Sequence, residues 1–105
     1  MAKVIKNNIQ LKERIKDFVL DDEILDKIVV LEGNEFARGA IGISEDYRVV
    51  YSYEKLVEAL AREYEKEGIL DPEIEAMEWL NYNTLRSIPY MNSEGLLAPI
   101  IIHSI

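Results

Sequence analysis

The chain has 105 residues, 49% of them hydrophobic and 30% charged, with no cysteine, one histidine and a formal net charge of −8. That length holds one domain, residues 1–105, and the cysteine count removes disulfides, thiolate metal sites and cysteine nucleophiles. With His103 as the only histidine, a paired-histidine zinc site cannot be built, nor a catalytic triad that needs a second histidine. Residues 1–20 carry five Lys or Arg against two Asp or Glu, giving +3, and the other 85 carry seven against eighteen, giving −11. Such a surface repels nucleic-acid phosphates and favours basic partners, although an acidic balance also serves solubility alone.

Asn7 followed by Gln10 fits a helix capping box, and Leu11, Ile15, Phe18 and Val19 then form a helical stripe, so a basic amino-terminal helix is expected over 8–20. Asp21, Asp22 and Glu23 open a short turn carrying Ile24 and Leu25. The body is expected over 27–105. Its β-branched stretch 27–31 reads as a strand, and Glu32, Gly33 and Asn34 as a turn. Segments 40–44 and 48–52 flank Glu45, Asp46 and Tyr47 at hairpin spacing, with Gly39 and Gly42 marking a bulge or a close backbone approach.

Ser52 is the expected N-cap of the clearest helix. Tyr53, Leu56, Val57, Leu60, Ala61 and Tyr64 share one face of it, with Glu54, Glu58, Arg62, Glu65 and Lys66 on the other, and Gly68 ends it. Asp71 and Pro72 predict N-cap and first helical residue of a further helix running to Arg86. Pro89 should stop it, leaving 87–97 as loop. The isoleucines of 98–103 predict a strand buried on both faces, hence central. The expected class is α+β: a small mixed sheet of three or four short strands, from the 40–52 hairpin and the central 98–103 strand, with two or three helices packed on one side.

At 100° per residue the 72–86 helix divides sharply. Met77, Leu80, Thr84 and Ile88 share the core side, with Ile74, Asn81 and Leu85 at its margin. Glu75, Glu78, Trp79, Tyr82 and Arg86 occupy the opposite arc. Trp, Tyr and Arg dominate binding hot spots, so this arc reads as a protein-binding face, with Glu58, Glu65, Glu75 and Glu78 to steer an encounter. The competing reading packs Trp79 and Tyr82 under the amino-terminal helix or the 87–97 segment. Asn81, Asn83 and Thr84 need hydrogen-bond partners, expected in the backbone of 89–96, or else they line a polar ligand pocket.

Catalytic and cofactor signals are weak. Glu32 and Glu35 lack an EF-hand pattern, the glycines form no phosphate-binding loop, and no serine sits in a nucleophile elbow. Tyr47, Tyr51 and Tyr53 could stack on bases, but the surrounding acid opposes it. No catalytic residue, metal or cofactor is assigned. The apolar runs are far short of the roughly 20 residues of a membrane span. Residues 1–10 lack a signal-peptide apolar region. A soluble cytoplasmic chain is therefore expected.

Several strings resemble small acidic, uncharacterised proteins encoded by bacteriophages and prophages. They are VLEGNEFA over 30–37, IGISED over 41–46 with Val50 and Tyr51, EWLNYNT over 78–84 with Arg86, Pro89 and Tyr90, and API over 98–100. The resemblance spans about Ile28 to Ile102. It implies a mobile-element accessory protein acting in the cytoplasm of a bacterial host. Such a protein would bind and mask a host protein, by contact or DNA mimicry, in the manner of anti-CRISPR inhibitors. Its partner would be a host protein, including nucleic-acid-handling ones, with no direct nucleic-acid or membrane contact. A homo-oligomer with a self-complementary aromatic face, and a small-ligand or enzymatic domain, are the alternatives.

Overall fold

A computed structural model describes residues 5–105. Helix α1 spans Asn8–Phe18, α2 Asp22–Lys27 and α3 Asn34–Ala37. Strands β1 (Ala40–Ile43) and β2 (Val49–Ser52) follow, then α4 (Tyr53–Lys66), α5 (Pro72–Trp79), a π-helical turn (Leu80–Thr84), α6 (Ile88–Ser93) and β3 (Ile100–Ile102). The class is α+β, as expected. The sheet order is β1-β2-β3, with β1 antiparallel and β3 parallel to β2.

Local chemistry sets the boundaries. The Asn7 side chain accepts the Gln10 N–H at 2.9 Å, while Gln10 Oε1 takes the N–H of Lys6 at 2.8 Å, one residue before the capping-box position. α4 ends in a Schellman motif. Gly68 lies at φ +78°, its N–H donates to the Glu65 carbonyl, and the Ile69 N–H donates to Tyr64. Gly39 and Gly42 do what their positions suggested: the β1–β2 register shifts between Ala40 and Gly42, and a Cβ at Gly39 would lie 2.6 Å from Leu56 Cδ2.

β2 is the central strand. Val49 and Tyr51 point into the core, and the Tyr51 hydroxyl accepts the Leu31 N–H at 3.0 Å. The core joins Leu11, Ile15 and Val19 to Leu31, Phe36, Leu56, Leu60, Ala76 and Leu80. α4 packs on β2 and on α5, and α3 links α1 to α4.

Five expectations are corrected. Residues 27–31 are extended but form no strand: α2 takes Lys27, its N-terminus held by Asp21, and only the bridge Ile28↔Leu97 pairs the rest. The carboxy-terminal strand lies at an edge, because burial there belongs to Ala98 and Pro99, which precede it. Its end turns away, His103 stacking on Tyr53 and Ser104 N–H donating to the Glu54 carboxylate. Phe18, in the last turn of α1, is 77% exposed rather than part of the stripe. Asp71 adopts a left-handed conformation and caps nothing with its side chain. Pro89, read as a stop, stands in the first turn of α6, where its missing N–H costs nothing.

Candidate functional site

The surface of interest lies where α5 passes into the π turn. An α-helical ladder is interrupted there: the Leu85 N–H reaches five residues back to the Leu80 carbonyl, at 2.9 Å. Such π turns shift side-chain phase and recur at functional positions. Asn83 Nδ2 donates to the Trp79 carbonyl at 3.1 Å, so this asparagine braces its own helix. Thr84 is buried, and its carbonyl accepts the Ser87 hydroxyl at 2.8 Å. The bond shown for Asn83 runs within its own helix, not to the 89–96 backbone as expected. Asn81 and Asn83 face solvent.

The core side of α5 differs from the sequence reading. Ala76 and Leu80 are fully buried, whereas Met77 is 42% exposed and Ile74 55% exposed. The helix is rotated so that its smallest apolar side chain meets the body. Ala76 lets α5 approach α4 closely, and two larger aliphatic residues are left outside.

Trp79, Tyr82 and Arg86 all carry exposed surface. Tyr82 is 71% exposed, and the Arg86 guanidinium carbon lies 5.3 Å from its ring centroid. Trp79 is 38% exposed and stacks on the buried Phe36 ring of α3, centroids 5.7 Å apart. Trp79 is thus neither wholly core nor free: one part of its ring closes the body and the rest meets solvent. The ring it stacks on comes from α3.

Glu75 and Glu78 are exposed on α5, as are Glu58 and Glu65 on α4. Partial burial, Glu67 and then Glu75 all raise the Tyr64 hydroxyl above its ordinary range, which places the α5 acid beside α4. Glu58 is partly neutralised by Arg62 at 2.7 Å. At the hairpin tip, the Ser44 hydroxyl holds the Asp46 carboxylate below the usual range, and Arg48 adds to this at 3.1 Å.

Tyr51, one of the three tyrosines considered for base stacking, has no exposed surface, and Tyr53 is covered by His103. Among the described residues, Glu32 and Glu35 join no group of three or more metal-ligating side chains. No helix of the described residues is long and apolar enough to cross a membrane. Compared with protein-family models, curated proteins and solved structures, the chain finds no match.

Proposed function

We propose that this chain works by binding another protein through Trp79, Tyr82 and Arg86, with Glu75 and Glu78 around them. The observation that carries the reading is the solvent-facing Tyr82 ring with Arg86 laid over it, next to a Trp79 that is already fixed by Phe36. Covering a large aromatic side chain is worth roughly 1.5–3 kcal/mol, and that free energy is still available here to a partner. Rigid stacking lowers the entropy lost on binding, because Trp79 and Arg86 start near their bound geometry.

The acids favour a basic partner surface. Glu75 and Glu78 lie in the patch, while Glu58 and Glu65 extend negative potential along α4, Glu58 at reduced strength. The resemblance to phage and prophage proteins makes a host protein the expected target and stoichiometric masking the mode. A basic channel that normally takes nucleic acid suits the acidic surround, and the chain would then act as a DNA mimic.

The test compares the wild-type chain with Tyr82→Ala/Arg86→Ala in quantitative capture from a bacterial host lysate, followed by titration of the purified partner. Both side chains are exposed, so the double variant should keep its thermal midpoint and lose at least about tenfold in affinity. A partner held equally well by both proteins would overturn the assignment.

A further inference from the structure

Away from the aromatic arc, α1 and the extended segment after α2 enclose an open cleft of about 180 Å³. Ile15, Leu25, Ile28 and Val30 form its apolar lining, and Lys12 and Lys16, one helical turn apart, stand beside it. Asp26 also lines it, so the rim keeps a net positive charge. Among the described residues, neither lysine lies within ion-pair distance of a carboxylate. Size decides the kind of occupant. Small-molecule pockets run to about 300–1,000 Å³, whereas this cleft suits one or two side chains presented by a protein.

An acidic, aliphatic ridge of that size exists on the same molecule, on α5. Ile74 and Met77, three apart on α5, are exposed, and Glu73 and Glu78 flank them. Two lysines beside the cleft and two glutamates beside the ridge are complementary in sign, which favours head-to-tail contact despite the shared net charge of −8. We infer that the cleft receives the α5 ridge of a second copy of this chain. Ile74 and Met77 fill the apolar floor, and Glu73 and Glu78 meet Lys12 and Lys16. The contact is heterologous, so an open chain of copies leaves one cleft unfilled at one end and one ridge at the other unless the rotation closes a ring. So small an interface belongs to the weak, transient class.

The ridge and the aromatic arc share Glu78 but no ring or aliphatic side chain, and Trp79, Tyr82, Arg86 and Glu78 stay unchanged in every variant below. Failure here therefore leaves the partner-binding reading standing. Two surface variants separate the halves of the contact: Lys12→Glu/Lys16→Glu spoils the cleft, and Ile74→Lys/Met77→Lys spoils the ridge. All four side chains are exposed, so folding is not at stake. Sedimentation at up to about 1 mM chain should show wild-type association, weakened roughly tenfold between about 0.05 and 0.5 M salt. Each variant alone should remain monomeric. Mixed in equal amounts they should form a dimer and nothing larger, since one sound cleft and one sound ridge remain. In that mixture, amide shifts in the ridge variant should map to Ile15, Leu25, Ile28 and Val30. A wild-type chain that stays monomeric throughout, variants that associate like wild type, or a mixture that does not pair would each overturn the inference.

Discussion

Trp79 lies on Phe36 with the ring planes 28° from parallel, so the one tryptophan of the chain closes the body and faces solvent at once. Removing it should have two separable effects. Trp79→Ala uncovers Phe36 and is expected to cost about 2 kcal/mol of stability, below the 3–5 kcal/mol of a fully buried ring. Tyr82→Ala, at a far more exposed position, should stay within about 0.5 kcal/mol of wild type. Both should weaken partner binding. Urea unfolding with titration of the partner checks the pair; loss of binding in neither variant would return Trp79 to a purely structural role.

The acids should act on a different rate from the rings. Glu75→Gln/Glu78→Gln removes exposed charge without removing contact area, so the association rate should fall while dissociation changes little. Glu58→Gln should matter less than either, because Arg62 already offsets that carboxylate. Its stability cost should be at most about 0.5 kcal/mol, as for other exposed i, i+4 pairs. Surface-plasmon kinetics at two ionic strengths distinguish the two effects: the difference between wild type and the Glu75/Glu78 variant should shrink at high salt.

Burial in the middle of β2 pushes the Tyr51 hydroxyl up to about 12, against which its bond from the Leu31 N–H acts weakly. The folded chain therefore holds this proton after an unfolded tyrosine, with its ordinary value near 10, has lost it. That contribution is complete below pH about 10 and disappears as pH rises to about 12, amounting to roughly 2–3 kcal/mol. Tyr51→Phe should lose about 1–3 kcal/mol at neutral pH by leaving the Leu31 N–H without its acceptor. It should also flatten the alkaline fall. Urea unfolding of both proteins between pH 8 and pH 12 measures the difference; parallel curves would contradict the assignment.

The sequence was most legible where one local interaction dominates. Asn7, Ser52 and Gly68 mark helix ends through their own hydrogen bonds or backbone conformation, and α4 presents the stripe its spacing implies. It misled where a tertiary choice decides. The isoleucines of β3 look like a central strand, but strand order depends on β2 offering both edges, which residue type does not encode. Pro89 is compatible with both stopping and starting a helix, and only the Ser87 carbonyl, accepting from Tyr90 and Met91, shows which occurs. On α5, hydrophobicity ranks Met77 above Ala76, yet close approach to α4 favours the smaller side chain. The aromatic arc was readable because Glu78, Tyr82 and Arg86 are four apart. The Phe36 contact was not, since 43 positions separate it from Trp79.

Gly39 and Gly42 stand three apart in the same bulged segment and should respond oppositely to a methyl group. At Gly39 an added Cβ would meet Leu56 Cδ2 at 2.6 Å, Leu56 Cγ at 3.0 Å and the Phe36 carbonyl at 3.3 Å. Leu56 is itself fully buried beneath α3 and cannot swing aside, so the strain passes into the backbone. Gly39→Ala should therefore lose about 1–3 kcal/mol, as overpacked core positions do. A Cβ at Gly42 meets nothing within 4 Å, and its backbone lies in a region open to any residue. Gly42→Ala removes freedom from the unfolded chain alone and should gain about 0.4–1 kcal/mol. Because neither change alters the surface exposed on unfolding, both should shift the urea midpoint at constant m-value. Equal midpoints for the two variants would mean that Gly39 marks only the bulge and that Leu56 does not need the space.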